Sequence, residues 1–104
     1  MDRTETIRRI RTGLRQRTGK DWSVTGGRGT AWGWLTISAP PRRRINGGTC
    51  LTEADRKELG AALGLGRPAG LQGESVPASE SYWREFVDRA EGRTPSVRGR
   101  PYWD

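Results

Sequence analysis

Ile7, Ile10 and Leu14 stand at i, i+3 and i+7 within a stretch that is otherwise charged and polar, residues 2–17. That spacing lines three aliphatic side chains along one stripe of a helix. Arg8, Arg9 and Arg15 point away from the stripe, and Arg3, Arg11 and Arg17 lie nearer its borders, so the predicted helix has an arginine-rich wet face. Gly19 is placed to stop it, and Lys20 adds positive charge at the negative end of the helix dipole. From Asp21 to Ala39 the period changes. Trp22-Ser23-Val24-Thr25 and Thr30 to Ser38 flank Gly26-Gly27-Arg28-Gly29, which predicts a β-hairpin with a Gly-rich turn. Alternation along the second strand sets Trp32, Trp34 and Thr36 on one face and Leu35 and Ile37 on the other.

Pro40-Pro41-Arg42-Arg43-Arg44 ends the strand, because proline cannot continue a central ladder, and opens a mobile basic loop leading to the turn signal Asn46-Gly47-Gly48. Thr52 is placed as the N-cap of a second helix, with Glu53 and Asp55 in its first turn, Leu59, Ala62 and Leu63 on its apolar side and Gly64 as its stop. Residues 66–78 read as a loop anchored by Leu71 and Val76. Ser79 caps a third helix with an apolar stripe of Tyr82, Trp83, Phe86, Val87 and Ala90, ending at Gly92. The expected fold is therefore α+β: a small antiparallel β-hairpin or sheet at residues 21–38, packed against an N-terminal helix and two C-terminal helices. Residues 1–92 are expected to form one small domain. Residues 93–104 are expected to be an extended C-terminal tail that docks through Tyr102 and Trp103.

Composition changes this picture in two ways. Ile, Leu, Val and Phe together number sixteen of 104 residues, less than the roughly 20% below which a charged chain tends to disorder. Five Trp and two Tyr offset the shortage, since each large ring buries about 150–250 Å²; the core is expected to be thin and tryptophan-rich. The second change concerns charge. Residues 1–50 hold eleven Arg and Lys against three Asp and Glu, whereas residues 51–104 hold eight against nine, so the net charge of +7 resides in one half. A segregated surplus makes a directed electrostatic surface whose usual complements are phosphate backbones or acidic proteins.

Candidate chemistry is narrow. Cys50 is the single cysteine and histidine is absent, which excludes an intramolecular disulfide, a Cys/His zinc site and a Ser-His-Asp triad. No apolar run approaches the ~20 residues of a membrane span, and the N-terminus lacks the apolar core of a leader, so a cytoplasmic protein that engages no membrane is expected. Thr25-Gly26-Gly27-Arg28-Gly29-Thr30 lacks the spacing of a nucleotide-binding loop and reads as a hairpin turn whose Arg28 is free to touch a phosphate. Glu80 with Arg84 and Glu85 with Arg89 are i, i+4 pairs, so surface pairing explains these carboxylates without catalysis or a cofactor. Trp32 and Trp34 admit two readings, a platform for stacking unpaired bases if their face is open and core if it is closed; the shortage of aliphatic residues favours core.

The basic candidates for phosphate contact are Arg8, Arg9, Arg11, Arg15, Arg17, Lys20, Arg28, Arg42, Arg43 and Arg44, since guanidinium forks match phosphate oxygens. Ile7-Arg8-Arg9-Ile10 with Leu14, then Trp22-Ser23-Val24, a Gly-rich turn, Trp34-Leu35-Thr36-Ile37 and Ala39-Pro40 resemble the helix-plus-hairpin pattern of a large polyvalent protein-associated domain of phage and plasmid proteins. The resemblance covers residues 7–41 and departs in the Trp-rich second strand and the C-terminal helices. It implies a setting in mobile elements or DNA transactions and assigns no functional residue. The expected function is non-enzymatic binding of nucleic acid, DNA or RNA, through the arginine-rich half. The alternative is a small protein-binding module, an inhibitor or adaptor of mobile-element or host-defence machinery, that recognises an acidic protein surface with Tyr102 and Trp103 as anchors.

Overall fold

Asp2 starts the first helix: its side chain accepts from the Glu5 backbone N–H at 2.7 Å, and Thr6 Oγ1 donates to the Asp2 carbonyl at 2.7 Å. In the computed structural model of the protein, which describes residues 1–45 and 48–100, helix α1 spans Arg3–Thr18. It ends at Gly19, whose left-handed backbone (φ 75°) a side chain would strain. Strands β1 (Ser23–Gly26) and β2 (Leu35–Ser38) pair antiparallel with Val24 opposite Ile37. Helix α2 (Glu53–Ala62) begins at Thr52, which accepts from Asp55 N–H, and α3 (Glu80–Ala90) at Ser79, which accepts from Tyr82 N–H, both capped as the sequence indicates. The α+β class expected from the sequence is the class observed, with one helix N-terminal to the hairpin and two C-terminal to it.

Two elements differ from expectation. A third strand, β3 (Glu74–Val76), lies in the segment expected as a loop and joins the free edge of β2, setting Leu35 opposite Val76 and giving the order β1-β2-β3. Its signal was hidden because it is three residues long and one of its two inward positions is Glu74, a buried carboxylate held by Arg67 at 2.9 Å. Leu71, expected as an anchor, is exposed, whereas Val76 is fully buried.

The second correction concerns the Trp-rich strand. Residues Gly29–Ala31 form a single 3₁₀ turn, Trp32 follows with helical backbone, and Gly27 N–H bonds the Trp34 carbonyl at 2.8 Å, so β2 starts only at Leu35. The turn carries Trp32 and Trp34 off the sheet: they are 54% and 36% exposed, and the expectation that they are core is overturned. Trp22 supplies the buried ring in their place, its indole N–H donating to Thr18 Oγ1 at 3.0 Å, and Leu35 and Ile37 fill the inner face of β2.

Helices α1 and α3 pack against each other, α1 against β1 and α3 against β3, with α2 beside α1. The interior consists of Ile10, Leu14, Trp22, Val24, Leu35, Ile37, Leu51, Leu59, Leu63, Val76, Phe86 and Val87 with three alanines. Tyr82 and Trp83 pack on its margin. Residues 93–100 run back along α3: Gly99 N–H donates to Glu85 Oε1 at 2.7 Å, Arg100 N–H to Ser81 Oγ at 2.9 Å, Ser96 N–H to Asp88 Oδ2 at 3.1 Å, and the Tyr82 ring lies against Gly99. Tyr102, Trp103 and the expected Asn46-Gly47 turn lie outside the described residues. No helix among the described residues is long and apolar enough to cross a membrane.

Helices α1 and α3 approach closely at Gly13, where a Cβ would sit 2.9 Å from the Ala90 carbonyl oxygen of α3. Gly13→Val should therefore force the two helices apart. The expected outcome is a stability loss of about 1–3 kcal/mol, read as a fall in chemical-denaturation midpoint. Wild-type stability in that variant would refute the tight α1/α3 contact.

Candidate nucleic-acid interface

Ten basic residues were expected to offer charge to a partner, and the tertiary structure divides them. Arg9 leaves the helix face toward α3 and donates from Nη2 to Glu91 Oε1 at 2.9 Å. Arg15 pairs with Asp21 just beyond the end of its own helix. Lys20 holds both carboxylate oxygens of Glu58, at 2.7 and 2.8 Å. Among the described residues Arg17 meets no carboxylate; its Nη1 donates to the carbonyls of Ala62, Arg89 and Ala90 at 2.7, 3.0 and 3.0 Å. These acceptors are the last carbonyls of α2 and α3, which have no partner inside their own helices.

The triplet after the prolines is not a free basic loop. Pro41–Arg43 forms a 3₁₀ turn that swings Arg43 inward, where it pairs with the buried Asp55 of α2 and with Glu58 at 3.1 Å and lies 5.1 Å from the centroid of the Trp22 ring. Its Nη1 has no hydrogen-bond partner among the described residues; the ring face is its electrostatic complement. Arg44 Nε donates to the Ala39 carbonyl at 3.0 Å. Burial alone would push the Glu58 carboxyl up, but hydrogen bonds from Lys20 and Arg43 outweigh it and leave the group below its ordinary value. Glu91 behaves likewise, burial raising it and Arg9 and Arg93 bringing it lower. At Asp88 the opposing donors are Ser96 and Arg93.

Arg8, Arg11, Arg28 and Arg42 are exposed and have no carboxylate partner among the described residues. Arg8 and Arg11 come together, three residues apart on one helix face. With Thr4, Ile7, Thr12 and Arg15 they line an open groove along the outer side of α1 that ends at Asp21. Its floor is the half-buried Ile7 and its walls are guanidinium groups and threonine hydroxyls. Arg28 precedes the Gly29–Ala31 turn and Arg42 sits on the Pro41–Arg43 turn, each on a separate element from the groove.

Two residues of the surface escaped the sequence reading. Arg3 stacks over Trp32 at 4.7 Å from the ring centroid and lies against Gly26, where a side chain would collide with its guanidinium. Trp83 donates from its indole N–H to the Gly33 carbonyl at 3.0 Å, and with Trp32, Gly33, Thr30 and Ala78 it lines a shallow recess. Trp83 was legible only as part of the α3 stripe; its place at the exposed margin of that stripe depends on the turn that brings Gly33 to it. Trp34 does not line this recess.

Carboxylates on α3 form the helical pairs expected from their spacing, Glu80 with Arg84 and Glu85 with Arg89, each at 2.9 Å. Among the described residues no group of three or more Cys, Asp or Glu is placed to hold a metal ion. Cys50 is half-buried ahead of α2. No protein-family model, no curated protein and no solved structure matches this chain.

Arg43→Ala strands the buried Asp55 carboxylate and is expected to cost about 3 kcal/mol, whereas Arg42→Ala, on the same turn and unpaired, should change stability by less than about 0.5 kcal/mol. Equal denaturation midpoints for the two would contradict the assignment of Arg43 to the interior. A second expectation follows from Glu58, Asp88 and Glu91. Their folded-state values lie below the unfolded ones, so the stability they contribute is complete above roughly pH 4.5 and drains away as pH falls through the depressed folded values. Thermal midpoints across a pH series should decline on the acid side, and Glu91→Gln should shallow that decline.

Proposed function

We propose that the protein is a non-enzymatic, cytoplasmic nucleic-acid-binding protein that holds a phosphate backbone along the outer face of α1, with Arg28 and Arg42 as outlying backbone contacts. The observation that supports this reading is the selective freedom of Arg8 and Arg11. Most other basic candidates are spent on carboxylates or carbonyls of the same chain, yet these two stand side by side, exposed and uncompensated, on one groove. Like charges at that spacing repel, and an anion between them removes the repulsion while accepting bidentate hydrogen bonds. The Thr4 and Thr12 hydroxyls add neutral donors of the kind that contact phosphate and sugar. Such contacts position a strand without reading its sequence. The proposed setting in phage or plasmid biology rests on the resemblance of residues 7–41 alone.

An acidic protein surface would use the same arginines, and salt dependence together with ligand choice separates the two partners. Fluorescence anisotropy with labelled single-stranded and duplex DNA and RNA, over a salt series, should give micromolar or tighter binding with a steep slope. Replacing Arg8 and Arg11 together by Ala should weaken binding across sequences and reduce the slope by about 1.4 to 1.8, two contacts at roughly 0.7 to 0.9 each. Lys57→Ala, which removes a charge paired with Glu53 on α2, should leave the slope almost unchanged. No binding at low salt, or an unaltered slope in the double variant, would reject the reading.

A further inference from the structure

We infer that the preferred nucleic acid is single-stranded, with one unpaired base stacked on Trp32 in the recess bounded by Trp83. This inference rests on the proposed use of the α1 groove. Trp32 is the most exposed of the described aromatic rings at 54%, and it is held there by structure, not left loose. Arg3 is stacked over it at 4.7 Å, and the chain around it is pinned by Trp32 N–H to the Gly29 carbonyl at 3.1 Å and Trp34 N–H to the Ala31 carbonyl at 3.0 Å. Opposite, Trp83 is locked by its hydrogen bond to Gly33, with Ala78 packed close against that glycine. A rigid, half-open aromatic slot presents a stacking surface at small ordering cost, and every base has a face to offer it.

The recess takes a base in preference to a phosphate. Among the described residues no Arg or Lys lines it, and its one charged side chain, Glu80, is paired with Arg84 at 2.9 Å and with the Met1 ammonium at 3.9 Å, so nothing in it is offered to a phosphate. Phosphates are accommodated one step away, since Arg3 belongs to the same helix as the groove and Thr4 is already part of it. Arg8 lies five residues beyond Arg3, about 7.5 Å along the helix axis. Five residues also turn the helix by about 140°, so a strand with its backbone on Arg8 and Arg11 reaches the Trp32 slot by crossing the first turn of α1 at Thr4. In a duplex the bases are stacked and paired, so no face is open to the ring.

The test compares wild type, Trp32→Ala and Trp32→Phe on a labelled short oligothymidylate and on a duplex of equal length. Trp32→Ala is expected to lower single-strand affinity roughly 5- to 150-fold, the equivalent of one stacked base. Trp32→Phe should retain most of the affinity, duplex affinity should be unaffected, and the salt slope should stay at the wild-type value because no charge is removed. The thermal midpoint of Trp32→Phe should match wild type and that of Trp32→Ala should fall only slightly, through loss of the Arg3 contact, as the ring lies outside the core. If wild type binds the strand and Trp32→Ala binds it equally well, or loses strand and duplex alike, the stacking inference is overturned while the phosphate reading stands. If wild type binds neither ligand at low salt, both are overturned.

Discussion

Two helix C-termini meet at one guanidinium. The final carbonyls of a helix have no acceptor role within it and together form a negative pole, and α2 and α3 bring two such poles side by side. Arg17, from the last turn of α1, donates to Ala62 of α2 and to Arg89 and Ala90 of α3. Arg89 completes the junction from the other side, donating to Leu63 and Gly64 at 3.0 and 2.9 Å while its Nε holds Glu85. All three helices are thus tied at one end by cation-to-carbonyl bonds. The orientation of α1 follows from this knot and from the close approach at Gly13, and with it the direction in which the remaining arginines point.

A chain with so few aliphatic residues closes its periphery by other means. Arg43 carries out at the hairpin end what Arg17 does at the helix ends: it spans Asp55, Glu58 and the face of Trp22, linking the turn after β2 to α2 and to the buried ring. Arg9 links α1 to α3, Arg67 links the turn after α2 to β3, and Arg93 links the returning segment to α3. Arginine suits this work because its aliphatic stem covers apolar surface while its planar head satisfies several acceptors at once. Much of the positive charge is therefore structural, and the count of nineteen Lys and Arg overstates how many are offered outward.

Part of what remains outward is spatially organised. Arg8 and Arg11 share a groove on α1, and the N-terminal end of that helix places Arg3 on the ring of Trp32 beside the recess of Trp83. Charge for a backbone and an aromatic face for a base lie within one helix length of each other. That juxtaposition sets the proposed ligand apart from an undirected polyanion.

Local signals were legible where a single element carries them. The i, i+3, i+7 spacing of Ile7, Ile10 and Leu14, the caps at Thr52 and Ser79, the stop at Gly19 and the i, i+4 pairs of α3 depend on residues within a turn or two, so the amino-acid order determines them by itself, and with them the α+β class. The third strand was not legible, because three residues cannot show a period and Glu74 is buried only when Arg67 reaches it. Nor was the fate of Trp32 and Trp34, whose alternation with Leu35 and Ile37 is compatible with a strand until the 3₁₀ turn at Gly29–Ala31 removes them from the sheet. The partition of the arginines was decided by the tertiary structure alone: Arg8 and Arg9 are neighbours in the chain, but only packing brings Glu91 to one of them and leaves the other to solvent. A charge is free or spent according to what lies within a few ångströms of it, and for residues separated by eighty positions that distance exists only once the chain has folded.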